Sequence, residues 1–226
     1  MILFKNKIYW VLLLLLYSCT TDNYLRYDTT DASLRFDYSS VRKDSLIYSF
    51  GLHAGIEIDN IDIPVKLIGI TSPKNRKFVV QVVPEKTTAI ENNDYKIEPC
   101  ELLADSISSI VRIQVLKNAS LSLGDKSIVL RLCANDNFSA PPINESEFKI
   151  VLTNELSEPE GWIFDEYSRV KHEFVILHTG VATKYTNWST SEQIYWKGVL
   201  INALYQYNKE HPGKPLTDEN GLIVTF

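Results

Sequence analysis

Four histidines are the side chains of this 226-residue chain best suited to bind a transition metal or to transfer protons near neutral pH. They are His53, His172, His178 and His211. None of them has the H-E-x-x-H or H-x-H spacing that would place two imidazoles on one metal ion, so the sequence predicts no zinc site. On a helix, His172 and His178 would lie on different faces, and we expect both to be solvated surface side chains.

Enzyme motifs are equally absent from the sequence. There is no G-x-S-x-G nucleophile elbow and no phosphate-binding glycine loop. Neighbouring acids such as Asp59 and Asp62 do not by themselves define the carboxylate separation that glycoside hydrolysis requires. The loops Glu91–Tyr95 and Ala134–Phe138 could offer oxygens to calcium, but each contains only one or two acids. The sequence therefore predicts a binding protein with no catalytic residue, no cofactor and no metal.

Cys19 has the sequence context that indicates a specific covalent chemistry. It follows two lysines and the apolar block Ile8–Tyr17, which is about half as long as the roughly 20 residues of a membrane-spanning helix. That order is typical of a cleaved secretory signal. The residues LYSC around the cut resemble the bacterial lipobox, whose cysteine thiol is joined to diacylglycerol. We predict a lipoprotein signal peptide over residues 1–18 and lipidation of Cys19; the alternative is an ordinary signal in which Cys19 is incidental.

Aromatic side chains crowd into the last quarter of the chain, where they could stack on a pyranose ring or contact a partner. The candidate surface residues are Tyr185, Trp188, Tyr195 and Trp196. Packing of helices against the rest of the protein is the simpler explanation for such residues, because aromatic side chains dominate core energetics. Those that are exposed together would form a ligand or partner surface.

Charge and cysteine content limit the classes of partner. The formal charge of −5 becomes −7 once residues 1–18 and their two lysines are removed, and no basic block remains, so nucleic acid is not an expected partner. With Cys19 lipidated, Cys100 and Cys133 are left. Outside the cytoplasm they could form a disulfide, or Cys133 could be a free thiol in an apolar strand.

Alternating apolar residues predict β-strands over residues 34–154. The predicted inward positions are Ile63, Val65, Leu67, Phe78, Val80, Val82, Ile107, Ile110 or Val111, Ile113, Val115, Ile128, Leu130, Leu132, Phe148, Ile150 and Leu152. Turn-rich segments such as 72–77 separate these strands. Five or more short strands at this spacing predict a β-sandwich domain, preceded by a polar tether over residues 19–33.

The apolar period becomes helical over residues 155–226, which we predict to be an extension packed on the sandwich. A first helix is predicted between a Ser168 cap and a Gly180 stop. Its predicted apolar stripe comprises Val170, Phe174, Leu177 and Val181. A second helix is predicted from a Thr190–Gln193 capping box to the residues His211–Gly213. Its predicted stripe comprises Ile194, Gly198 or Val199, Ile201, and Leu204 or Tyr205.

Several stretches of the sequence resemble known proteins. Residues 87–118 and 123–138 resemble the Calx-β type of Ig-like sandwich, with an Asp-Tyr pair before an edge strand and a long strand. The order of lipobox, sandwich, YSRVKHEF, helix and PLTDENGLIVTF is similar to a Bacteroidota lipoprotein family of unknown function. Members of that family look like accessory lipoproteins encoded beside SusC/SusD-type systems, which import glycans or peptides through a TonB-dependent outer-membrane barrel.

This resemblance implies a mainly β fold with a C-terminal α part: an Ig-like sandwich, two helices and a short terminal β-like segment. It also implies a lipid anchor in the outer membrane, an exterior location, and partnership with a SusC-like barrel and a SusD-like lipoprotein. Stand-alone capture of a glycan or peptide, and adhesion, are the alternatives. The triplet Asp28-Thr29-Thr30 resembles O-glycosylation sites of exported Bacteroidota proteins, so Thr29 is a candidate glycosylation site.

Overall fold

The computed structural model of the protein describes residues 31–41 and 44–226. The predicted signal peptide, Cys19 and Thr29 lie outside the described residues, so lipidation and glycosylation stay predictions. Within the described part of the chain, no helix combines the length and the hydropathy that crossing a bilayer would require.

Ten strands account for the β part of the described residues. They are β1 Ser33–Phe36, β2 Ser45–Ser49, β3 Ile58–Ile68, β4 Arg76–Lys77, β5 Val79–Val82, β6 Tyr95–Ile97, β7 Glu101–Leu102, β8 Ser108–Leu116, β9 Lys126–Cys133 and β10 Glu147–Thr153. One sheet has the order β1-β3-β8-β6 and the other β2-β10-β9-β5, while β4 pairs with β7. The β2–β10 pair is parallel and the other pairs are antiparallel. Strand β1 begins at Ser33 and Ala32 is already buried, so the fold starts slightly before residue 34.

The inner faces of the two four-stranded sheets form one apolar core. In the first sheet Ile63 lies opposite Val111, and in the second Ile150 lies opposite Ile128. All four side chains are buried, as the strand alternation predicted, whereas Ile110 is exposed. The prediction is wrong at Ile107, which is exposed because it lies just before β8 begins at Ser108. The predicted fold class, a mainly β sandwich followed by two helices, is therefore confirmed.

Cys100 and Cys133 are free thiols, so the predicted alternative of a disulfide between them is wrong. Strand alternation explains why. Leu132 points into the core, so the next residue, Cys133, lies on the outer face of β9, whereas Cys100 packs against the sandwich core. Burial raises the pKa of the Cys100 thiol to about 11.

Three α-helices complete the described fold. They are α1 Tyr38–Val41, α2 Arg169–Thr179 and α3 Thr190–Glu210. Helix α2 has the predicted boundaries: the Ser168 hydroxyl accepts from the Lys171 amide, and Gly180 ends the helix with a left-handed φ of 71°. Its predicted stripe is wrong at Leu177, which is exposed, because Val175 and Ile176 face the interior instead.

Helix α3 differs from its prediction in both its cap and its buried face. The capping box is formed by Ser189 and Glu192, one residue earlier than the predicted Thr190–Gln193 pair. The buried residues are Leu200 and Leu204. The predicted stripe residues Ile194, Ile201 and Tyr205 are exposed. Helix α3 has apolar residues on two faces, and it packs with the face that contains Leu200 and Leu204. Beyond the helix, Thr217 and Ile223 form an antiparallel bridge, which is the predicted terminal β-like segment.

Two buried clusters organise the described chain. The first lies within the sandwich, between Ala32 and Leu152, and the second lies within the helical part, between Phe164 and Val224. At their junction Gly51 has no room for a side chain: a Cβ there would lie 2.6 Å from the Glu155 carbonyl oxygen and 2.9 Å from the Leu156 Cβ. The backbone after β10 therefore passes directly over Gly51.

We expect Gly51→Ala to lower the free energy of unfolding by about 1–3 kcal/mol, because the added methyl group overpacks this junction. Gly198→Ala is the matched control. A Cβ at this position of α3 meets no heavy atom within 4 Å, and alanine should raise stability by up to about 1 kcal/mol. Urea unfolding followed by tryptophan fluorescence measures both changes, and an unaltered midpoint for Gly51→Ala would contradict the packing argument.

Candidate functional site

Three of the four predicted surface aromatics form one continuous patch, here called the aromatic ledge: Trp188, Tyr195 and Trp196. The rings of Trp188 and Trp196 stack at a centroid distance of 5.9 Å and an interplanar angle of 24°. Tyr195 meets Trp196 edge-on at 5.1 Å. Both tryptophans are half-buried, and Tyr195 is 63% exposed. The ledge thus presents apolar ring area to solvent while its tryptophans are held from beneath.

Tyr185 does not belong to this surface, and its prediction as a surface residue is wrong. Its side chain is fully buried, and its hydroxyl donates to the Val181 carbonyl at 2.7 Å. Burial raises the pKa of this hydroxyl above its ordinary range. Tyr185 packs edge-on against Trp162 and Trp188, so it supports the ledge instead of extending it.

The start of α3 sets the position of the ledge. The Ser189 amide donates to the Glu192 carboxylate at 2.7 Å, and the Glu192 amide donates back to the Ser189 hydroxyl. The hydrogen bonds from Ser189 lower the pKa of Glu192, which stabilises the charged cap at the positive end of the helix. The Gln193 side chain donates to the Trp188 carbonyl at 3.1 Å. These contacts fix Trp188 relative to the first turn of α3, and the second turn carries Tyr195 and Trp196.

His172 is the supporting residue that the sequence analysis misjudged. The prediction of a solvated side chain is wrong, because His172 is fully buried on α2. Its Nε2 lies 2.9 Å from the Ala182 carbonyl oxygen and its Nδ1 lies 3.4 Å from the Tyr167 hydroxyl. Burial lowers the pKa of His172. Its spacing of three and four residues from Val175 and Ile176 is the sequence signal that could have identified it.

Lys171, the neighbour of His172, is buried as well. Its ammonium group donates to the carbonyl oxygens of Phe164, at 3.1 Å, and Glu166, at 2.9 Å, and lies 5.9 Å from the centre of the Phe226 ring. Because Phe164 packs edge-on against Trp188, this ammonium group orders a segment directly beneath the ledge. Lys171 therefore satisfies two main-chain acceptors, and it also lines a cleft of about 260 Å³ beside Glu166 and Asp218.

The loops considered for calcium use their oxygens to hold their own backbone. The buried Asp94 carboxylate accepts from the Ile90 amide at 2.6 Å and also from the Asn93 and Asn118 side chains. In the second loop the Asn135 side-chain oxygen accepts two backbone amides. Among the described residues, no group of three or more histidine, cysteine or acidic side chains is arranged to hold a metal ion.

Clefts occur on other parts of the described surface. One of about 520 Å³ lies between the sandwich and α2 and is lined by polar groups that include Asp125, Asn154 and Arg169. Another of about 240 Å³ lies at the junction and has an apolar lining that includes Phe50, Phe174 and Leu177. Neither cleft is lined by a residue of the aromatic ledge. The ledge therefore lies outside both of these clefts, on the outer surface at the start of α3.

A family model described as a domain of unknown function, DUF4843, matches residues 19–181 of the chain. No protein of curated function is similar to the chain in sequence.

Many solved structures resemble part of the chain, among them the following three from Bacteroides species. A two-domain protein of unknown function from Bacteroides fragilis has 12% identity and a TM-score of 0.40, over 56% of this chain and 46% of that one. A candidate carbohydrate-binding protein from Bacteroides ovatus has 6% identity and a TM-score of 0.37, over 54% and 36%. A protein of unknown function from the same species has 9% identity and a TM-score of 0.38, over 55% and 44%. The chain spans less than half the length of each, and similarity at this level carries no information on its ligand.

Acidification is expected to weaken the support beneath the ledge. Since burial lowers the pKa of His172 in the folded state, the unfolded chain binds more protons near pH 6, and stability falls as the pH drops through about 6.5. Urea midpoints at about pH 7.5 and about pH 5.5, read from tryptophan fluorescence, measure the loss. His172→Gln should be less stable at both values but show a smaller pH dependence. Burial also lowers the pKa of His178, so the same two urea midpoints of His178→Gln measure how much this second histidine contributes to the pH dependence. An undiminished pH dependence in His172→Gln would contradict this assignment.

Proposed function

The chain belongs to the DUF4843 family, a domain of unknown function, and we propose that it is a lipid-anchored outer-membrane protein that acts by binding. In this proposal it serves as an accessory protein of a SusC/SusD-type system for the uptake of glycans or peptides. It contributes no chemical step. Its anchor keeps the binding surface close to its partners, which raises their effective concentration without any new contact.

The lipobox resemblance at Cys19 and the polar segment that follows it support the anchored location. A diacylated and N-acylated cysteine would hold the chain firmly, because several acyl chains bind a bilayer far more strongly than one. The segment between Cys19 and β1 is long enough to separate the folded part from the bilayer.

The observation that carries the proposal is the exposed apolar surface of α3. Beside the aromatic ledge, α3 exposes Ile194 and Tyr205, which are 70% and 62% accessible. This surface lies on a convex helix and mixes rings with aliphatic side chains. Small-ligand sites are concave and enclose most of their ligand, whereas protein partners dock on flat or convex apolar patches. The geometry therefore favours a protein partner.

Stand-alone capture of a glycan is the second candidate function. One observation favours it: Trp188 and Trp196 present nearly parallel rings, with Tyr195 beside them, which is an arrangement on which a sugar ring could stack. This candidate predicts measurable affinity of the isolated protein for a soluble oligosaccharide. It also predicts that this affinity is lost in Trp196→Ala.

The test of the accessory function is a mild-detergent pull-down of the tagged protein from its native outer membrane. We expect recovery of a TonB-dependent barrel and a SusD-like lipoprotein. Cys19→Ala should abolish that recovery, because the protein loses its anchor. Tyr195→Asp should reduce it at least severalfold, because a charge enters the apolar contact.

Leu123→Asp is the matched control, since Leu123 is 91% exposed on the sandwich side and remote from α3 in the sequence. It should leave recovery unchanged. Recovery of the unaltered protein alone would contradict the accessory function. Titration calorimetry with oligosaccharides would then test the second candidate.

A further inference from the structure

The exposed apolar residues of α3 follow a spacing that is more specific than exposure alone. Ile194, Gly198, Ile201 and Tyr205, here called the α3 seam, are separated by steps of four, three and four residues. This is the spacing of the a and d positions of a heptad. All four residues are exposed. The seam extends along α3 for about 17 Å at a rise of about 1.5 Å per residue.

The seam is narrow and is centred about 110° around the helix from the face that α3 buries. At about 100° per residue, its four positions fall within an arc of about 60°. The buried residues Leu204 and Leu200 lie about 90° and about 130° from the seam centre, where they join the helical core. A helix that lies on a lipid surface needs a much broader apolar face, whereas an arc this narrow matches the contact made by one neighbouring helix.

Gly198 shapes the middle of the seam. Glycine within a helix is less favourable than alanine by about 1 kcal/mol, and no packing inside this protein requires it, because a Cβ there would meet no heavy atom within 4 Å. Between Ile194 and Ile201 it leaves a hole without a side chain. A large aliphatic side chain of a neighbouring helix fits such a hole in knobs-into-holes packing.

Among the charged residues of α3 itself, the two nearest the seam are both lysines. Lys197 and Lys209 lie about 60° from its centre, one on each side, whereas Glu192 and Glu210 lie about 150° away from it. Lys197 makes one long ion pair, 3.8 Å from Asp165, between side chains that are both well exposed. Such a pair contributes little and can exchange for a partner's carboxylate. The seam flanks are therefore complementary to acidic residues.

We propose that the α3 seam binds one amphipathic α-helix of a partner protein, with aliphatic residues at heptad spacing and acidic residues on both flanks. A second copy of this chain fits less well, because it would bring its own lysines against Lys197 and Lys209. This proposal rests on the proposed function in one respect only: the accessory function implies that the partner helix belongs to a component of the uptake system. The chemistry of that helix follows from the seam itself.

The probe for this proposal is a synthetic, fluorescently labelled peptide of about three heptads, with leucine at a and d and glutamate at e and g. A second peptide has lysine at e and g and is otherwise identical. Fluorescence anisotropy with the purified full chain at low salt should show at least tenfold tighter binding of the glutamate peptide. The preference should shrink as salt is added, because the flanking charges become screened.

Three substitutions in the seam test its role. Ile194→Asp and Ile201→Asp should each weaken binding of the glutamate peptide at least tenfold. Gly198→Leu should weaken it severalfold by filling the hole. Leu123→Asp is again the matched control and should have no effect. Circular dichroism confirms that each variant is folded, and the use of two aspartate variants keeps the test valid if one of them fails to fold.

Equal binding of the two peptides, absence of binding, or binding that Ile194→Asp and Ile201→Asp leave intact would overturn the proposal. The proposal would also be overturned if analytical ultracentrifugation showed concentration-dependent self-association that Ile201→Asp removes. The seam would then bind a second copy of this chain. The peptide-binding result and the pull-down result test the two proposals separately. Peptide binding without recovery of a barrel refutes the uptake function and retains the seam, and recovery of a barrel without peptide binding does the reverse.

Discussion

The burial of two basic side chains at the start of α2 is the constraint on which the helical part of the protein depends. Lys171 and His172 enter the interior side by side, and both need main-chain acceptors there, since an unpartnered buried polar group is strongly unfavourable. Lys171 takes the carbonyls of residues 164 and 166, and His172 takes that of residue 182. The loops before and after α2 are thereby fixed to one helix, and the second loop leads directly into the turn that places Trp188 and α3.

The same region is tied to the C-terminal tail. The Glu219 carboxylate accepts the backbone amides of Arg169 and Val170 at the start of α2. A carboxylate at this end of a helix satisfies free amides and interacts favourably with the helix dipole. Arg169 in turn donates to the Asn154 carbonyl just after β10. The tail, α2 and the end of the sandwich thus meet at one helix terminus, and the described helical part is ordered by polar contacts as much as by its apolar core.

Much of the sandwich could be predicted from the sequence, because strand alternation reports directly on which side chains face inward. Ile128, Leu130 and Leu132 show this, because all three are buried. A shift of the strand by one residue would move all three to the outer face. The α3 surface could not be predicted in the same way. Its sequence has apolar residues on two faces, and only tertiary packing decides that Leu200 and Leu204 are buried while Ile201 is exposed. His172 was misjudged for a related reason: a polar side chain is easily taken for a surface residue when its acceptor, at residue 182, lies in a loop without a pattern.

The two free thiols of the sandwich are both partly buried, but only Cys100 packs against the sandwich core, and this has a kinetic consequence. Thiolate is the reactive form of cysteine, so Cys100, which packs partly buried against the core and whose pKa burial raises to about 11, should be alkylated more slowly than an ordinary thiol. Cys133, on the outer face of β9, should be alkylated from the native state. The alkylation rate of Cys100, measured relative to that of Cys133 on the same molecule, therefore reports how strongly the folded sandwich protects the Cys100 thiol.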